Sequence, residues 1–341
     1  MKNLLKIISV FSIMAITVLL ISNQHKTISE FTPSDNVADV LNHLGQPYPD
    51  HYISDFDSTD IKRGYDLIHV GKTNPPKGFS SSNISKFYTC TSCHNTVRED
   101  PTLTEVNQDE RLKYAISKDL PYLQGTTFWG AVNRETWYND DYVLKYGSLV
   151  EKAEKSLKES IQLCAQVCSQ GRKLQDWEMK SILAYLWSLQ MQVTDLEMSF
   201  EELDHLNKLS QKNEKDSAIS YLKSFYLTKS PATFTDTPKN YNKGYNLKGR
   251  PEMGKAIYEL GCQHCHHAYG ESDLVLDNSK LTFKWLEKNI DTHTHKSIYE
   301  IIRKGTYSEM GHKEYMPLYT LEKMSHQQVE DLRAYVEQES K

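Results

Sequence analysis

The chain is 341 residues long, with 38% hydrophobic and 25% charged residues and a formal net charge of −5. That length leaves room for two small domains plus linkers and for an ordinary buried core. The negative balance argues against nucleic acid as a partner, because a phosphate backbone is gripped by clustered lysine and arginine.

Residues 1–25 stand apart from the rest. Lys2 and Lys6 precede an apolar run over 7–21 that only two serines and a threonine interrupt. Basic flank followed by apolar run is the pattern of a secretory signal, and with Leu4 and Leu5 the run approaches the ~20 residues of a membrane span. No small-x-small cleavage site follows at Ser22-Asn23-Gln24-His25, and no cysteine is present there for a lipid. The expectation is export, with the segment acting as a signal peptide or as an uncleaved anchor. The protein would then be periplasmic, soluble or tethered to the cytoplasmic membrane.

Residues 32–60 read as loop. After them, Arg63-Gly64-Tyr65-Asp66-Leu67-Ile68 reads as a helix whose glycine permits a close helix crossing. Next comes Cys90-Thr91-Ser92-Cys93-His94, and the same pentad recurs as Cys262-Gln263-His264-Cys265-His266. Cys-x-x-Cys-His is the attachment signature of c-type haem. The two thiols form thioethers to the macrocycle and the adjacent histidine ligates the iron. One copy could be a zinc half-site or a redox pair; two copies with matching flanks point to two covalently attached haems. Such haem is attached outside the cytoplasmic membrane, which agrees with export.

The segment 125–142 is rich in Trp, Asn, Arg and Tyr. It could roof a haem and supply an anion donor at Arg134, or be an aromatic packing loop. The stretch 150–170 looks helical and carries the two remaining cysteines, Cys164 and Cys168. At i, i+4 on a helix their Cβ atoms stand about 5–6 Å apart, whereas a disulfide needs about 3.5–4.5 Å. A bridge would therefore distort the helix. Residues 178–189, with Ile182, Tyr185 and Trp187, read as a closing helix. Residues 199–227 are charged and weakly amphipathic, and 230–250 collect proline, glycine, asparagine and lysine as an exposed linker would.

The second half repeats the scheme. Gly254 to Cys262 leads into the second motif, and 329–339, with Leu332 and Tyr335 on one face, closes it. Strand signal is scarce. The predicted fold is mostly α: two cytochrome c-like haem domains in tandem, 45–195 and 250–341, joined by a helical segment and a loop-rich linker over 196–249.

Each iron needs a sixth ligand or an open site, and that choice sets its potential and reactivity. For the second haem the candidate is Met316, followed by Pro317 and lying 19 residues ahead of Tyr335. Met310 is the alternative, and Met324 lies too near the last helix. The first half has no Met-Pro at that place, but Cys164 lies 21 residues ahead of Tyr185. The parallel offset makes Cys164 the candidate ligand of the first haem. A buried free cysteine, or ligation by Cys168, Met179 or His69, stays open.

The stretch from Leu157 to Cys164, with Gly171-Arg172 seven residues on and then Glu178-Met179 and Ala184-Tyr185, resembles the first haem domain of two related families. These are thiosulfate dehydrogenases and the sulfur-oxidation cytochromes that conjugate thiosulfate to a carrier protein. The resemblance covers roughly 60–195 and 250–338. It implies a His/Cys-ligated first haem with Cys164 as ligand, and Arg172 as an anion-binding residue. It departs from the dehydrogenase pattern Arg-Ser-Met-Asn-Gly-Arg, since Cys168 stands where the serine would sit and no arginine precedes it. The expected molecule is an electron-transfer protein with a redox partner protein. Its most specific expected chemistry is thiosulfate/tetrathionate-type oxidoreduction at Cys164, with Arg172 and Arg134 meeting the anion's charge and electrons leaving through Met316. The alternative is a carrier, or a cytochrome subunit of a respiratory complex, with no chemistry of its own.

Overall fold

The computed structural model describes residues 30–78, 80–306 and 315–341. The N-terminal segment over 1–25 and the alternative ligand Met310 lie outside the described residues. Among the described residues the regular elements are helices, with two isolated bridges, Asn36 to Gln192 and Thr306 to Met316. None of these helices is long and apolar enough to cross a membrane.

In the first half, the opening helix Ser58–His69 starts at Asp57, whose carboxylate accepts from the backbone of Thr59 and Asp60. The closing helix is Asp176–Ser188. The two cross at Gly64, where a Cβ would sit 2.0 Å from the Ser181 carbonyl oxygen and 2.7 Å from the Tyr185 Cβ. Only glycine allows backbones so close. Leu67, Ile68, Ile182, Leu183 and Leu186 fill the core around the crossing.

The second half repeats this contact in another sequence. Its opening helix Pro251–Ile257 has proline at its first position, where no amide donor is missed. It runs on through a π-helical turn, Tyr258–Cys262, and crosses the closing helix His326–Glu339. A Cβ on Gly254 would lie 2.0 Å from the Asp331 carbonyl oxygen and 2.8 Å from the Tyr335 Cβ. In each half a glycine meets a carbonyl and the tyrosine four residues later. Ile257, Tyr258, Phe283, Val329 and Val336 form this core.

Four expectations need correction. The stretch read as one helix over 150–170 is Ser148–Glu154, then Leu157–Leu163 capped by Ser156, then a π-helical turn Cys164–Cys168. The 32–60 segment is not all loop, since it contains the helix Val37–His43. That helix is covered by Phe200–Gln211 and Lys215–Lys223, which pack Leu206, Ala218 and Leu222 against Val37, Val40 and Leu41. The region read as a linker thus builds a third core. Finally, the helix Gln108–Lys118, assigned by sequence to the first domain, puts Leu112 and Ala115 into the second core, and Tyr122 joins them there. The Tyr122 amide donates to the Leu260 carbonyl at 2.9 Å, and Arg250 joins Asp109 to Asp331. An amphipathic pattern says that a face must be covered but not by which element, so the boundary between the halves was not legible. The first half lends part of the second core.

Candidate functional site

In the second half the π-helical turn delivers Cys262 to the rim of a cavity of about 1030 Å³. Cys262, Cys265, His266 and Met316 all line it, with Trp285, Ile298 and Tyr319 among its walls. The His266 Nδ1 is 2.8 Å from the Leu274 carbonyl oxygen. A carbonyl only accepts, so Nδ1 carries the proton and Nε2 is left as a free donor atom for a metal. Burial lowers the imidazole pKa, which favours the neutral form that ligation needs. Met316 is presented by a short bridge: the Thr306 amide donates to its carbonyl at 2.9 Å, and its amide donates to the Thr306 hydroxyl at 2.7 Å. Gly305 beneath it has φ +64, and a Cβ there would meet the Met316 carbonyl oxygen at 2.4 Å. Size, apolar lining and donor set all fit a haem.

In the first half, His94 repeats the arrangement. Its Nδ1 donates to the Thr126 carbonyl at 2.7 Å, and burial lowers its pKa. Phe128 stacks on the ring, with centroids 4.5 Å apart and planes 16° apart. Gly125 backs onto it so closely that a Cβ would lie 2.6 Å from Nδ1. This is what the 125–142 segment contributes behind His94. Trp137 instead joins the core, donating to the Ala131 carbonyl. Burial pushes the Cys90 thiol up to about 11 and those of Cys262 and Cys265 up to about 12. A Cys-x-x-Cys redox pair works through a lowered thiol pKa, so the enclosure argues against that use.

Cys164 and Cys168 are both free and hydrogen-bonded to each other, and Cys164 faces Cys90 and Cys93. The hydrogen bond, then burial, raises the Cys164 thiol, while the same bond lowers that of Cys168. Tyr138 faces both sulfurs, and Tyr315 hydrogen-bonds Cys168. Cys168 therefore shares the space expected for Cys164 alone. His69, another alternative ligand, has its Nε2 on the Tyr185 hydroxyl at 3.3 Å.

The two arginines expected to meet a substrate anion are elsewhere. Arg172 spends all five N–H donors on protein: Nε on Asn83 O, Nη1 on Lys173 O and Glu178 Oε2, Nη2 on Ser82 O and Glu178 Oε1. Glu178 is fully buried, so this pair is structural and leaves no donor for an anion. Arg134 faces Glu99 and Asp100 and lines a small cavity with Thr126, Thr127 and Lys323. It lies on the His94 side, apart from the Cys164 neighbours. Cys164, Arg172 and Arg134 are not brought together.

The two motifs touch. Cys93, Phe87 and Tyr88 form part of the wall of the second cavity. Ser92 Oγ donates to Glu271 at 2.8 Å, Cys265 Sγ lies 3.6 Å from the Ser92 carbonyl oxygen, and Tyr88 donates to the Tyr315 carbonyl at 3.0 Å. Tyr315 immediately precedes Met316, so one loop reaches both sites. Sequence reasoning missed Tyr315, Phe128 and the contact itself, because nothing local in the chain announces them.

Residues 251–340 match the family model for cytochrome c. No curated protein matches the chain, and no solved structure does. The matched segment contains the second motif, most of the wall of its cavity, Met316 and both crossing helices. The C-terminal part of this chain is thus a cytochrome c domain, and the protein is an electron-transferring haem protein that holds c-type haem.

Proposed function

We propose that the chain is an exported dihaem c-type cytochrome, with one haem held by Cys90, Cys93 and His94 and another by Cys262, Cys265 and His266. The observation that carries this is the repetition of one local geometry. Gly64 against Ser181 and Tyr185, with His94 donating to a backbone carbonyl, matches Gly254 against Asp331 and Tyr335, with His266 doing the same. Met316 would supply the second protein ligand to the iron at the second motif, and the Cys164 thiolate that at the first. The iron supplies one-electron chemistry, while the protein sets ligand, burial and access. Thiolate ligation lowers a potential and methionine raises it. Electrons then run from the first site to the second across the Ser92–Glu271 contact, and on to a redox partner protein in the periplasm. Haem stoichiometry in the purified holoprotein tests this: two haems per chain are expected, and one would sink the proposal.

A second reading is oxidoreduction of a small sulfur anion at the first site. Its support is the pair of hydrogen-bonded thiols enclosed by Tyr138 and Tyr315 beside Cys90 and Cys93. Two thiosulfates joining as tetrathionate release two electrons, one for each haem. The engagement of Arg172 by Glu178 and the placement of Arg134 remove both expected anion donors, which favours the carrier reading. Thiosulfate added to the ferric protein, and tetrathionate to the ferrous protein, decide: prompt change of the visible haem bands supports the enzyme, and silence in both directions leaves the carrier.

A further inference from the structure

Behind His94 lies a buried charge cluster that the ligand assignments do not use. Glu99 is 2% exposed. One oxygen accepts from the Thr127 amide at 3.1 Å and Lys323 Nζ at 2.8 Å; the other accepts from Asn95 Nδ2 at 2.9 Å and Arg111 Nη2 at 3.4 Å. Asn95 is the residue after His94, and Thr127 is the residue after Thr126, whose carbonyl receives the His94 proton. One carboxylate therefore ties down both ends of the path that orients the imidazole. Thr127 closes the same path, its one hydroxyl proton shared between the Val97 carbonyl at 2.6 Å and the Asn95 carbonyl at 3.1 Å.

One of the cations comes from the other half of the molecule. Lys323 stands just ahead of the closing helix of the cytochrome c domain. Arg111 sits on Gln108–Lys118 and donates to the Lys323 carbonyl at 3.2 Å and the Leu123 carbonyl at 2.7 Å. Asp100 lies 4.0 Å from Arg111 Nε. Glu99, then Lys323 and Arg134, are the charges that His94 faces. A buried ion pair adds little stability over an apolar replacement, so its presence here invites a role in the site. Groups that hold a metal-ligating histidine tune the metal through its orientation and charge.

We propose that Glu99 is a positioning residue for His94, and that Lys323, lent by the cytochrome c domain, balances it. The contact between the halves thereby sets the potential of the first haem. This rests on the two-haem reading. Negative charge behind the histidine favours the ferric state and positive charge the ferrous state.

The experiment is a potentiometric titration of the holoprotein, wild type against Glu99→Gln, Lys323→Gln and Arg134→Gln, following each haem by its own spectrum. The Arg134 side chain makes no hydrogen bond or ion pair among the described residues, so its replacement alters charge without breaking one. Glu99→Gln should raise the first-haem potential, and Lys323→Gln and Arg134→Gln should lower it. The second haem should stay where it is. Shifts of one sign in all three variants, no shift, or movement of the second haem alone would overturn the proposal. If Lys323→Gln does not fold, Lys323→Met, which keeps the buried stem and removes the charge, takes its place, and the same lowering is expected. A wild-type protein with one haem per chain would overturn the two-haem reading itself, and stoichiometry reveals that before any titration.

Discussion

Arg172 lies across Glu178 with two parallel hydrogen bonds of 2.6 and 2.8 Å, and the carboxylate it neutralises has no exposure at all. The fork geometry of a guanidinium suits this bidentate contact. The first prediction separates that role from substrate binding. Arg172→Ala should destabilise the fold by about 3 kcal/mol, the low end for stranding one member of a buried pair, because Arg172 itself is partly exposed. Thermal unfolding should shift down, while any response to thiosulfate stays at the wild-type level. A variant of unchanged stability that loses such a response would return Arg172 to the site.

The glycine crossings predict equivalent damage in both halves. Alanine at Gly64 or Gly254 places a methyl group 2.0 Å from a carbonyl oxygen. Overpacking of this kind costs roughly 1–3 kcal/mol. Denaturant unfolding of Gly64→Ala and Gly254→Ala should show losses of that order, and an alanine tolerated at one position alone would mean that the two crossings are not equivalent.

Met316 and the thiol pair can be told apart spectroscopically. On the two-haem proposal, Met316→His should lower the potential of the haem at Cys262–His266, since methionine ligation raises it. Cys164→Ala should change the spectrum of the first haem only. If Cys168→Ala does so instead, the ligand is the other sulfur of the pair.

Acid should weaken the seam between the halves. Burial alone would raise the Glu99 carboxyl, but Lys323 and then Arg111 outweigh it and hold it far below the ordinary carboxylate value. Asp109 is lowered as well, chiefly by its hydrogen bond to Arg250. A carboxyl depressed in the fold contributes stability above its unfolded pKa, near ~4, and loses it as pH falls further. Stability should therefore drop below about pH 4 in wild type and less steeply in Glu99→Gln, measured by unfolding across that range. Identical acid profiles would show that Glu99 carries no such share.

Much of the chemistry was legible because it is local. Cys-x-x-Cys-His fixes thiols and imidazole within one turn of chain, and a glycine four residues ahead of an aromatic marked a helix that must approach another closely. The Met-Pro loop picked out Met316, which lies on the wall of the second cavity. What the sequence could not disclose depends on which surfaces meet. Arg172 reads the same whether it faces an anion or Glu178, and Glu99 and Lys323 are 224 residues apart in the chain yet 2.8 Å apart in the fold. Cys168 became Cys164's partner only through a π-helical turn, and Tyr315 reached it from the other half. Covalent spacing determines what a segment can bind; the packing of distant helices decides which charges are spent, which side chains share a cavity, and how close the two sites lie.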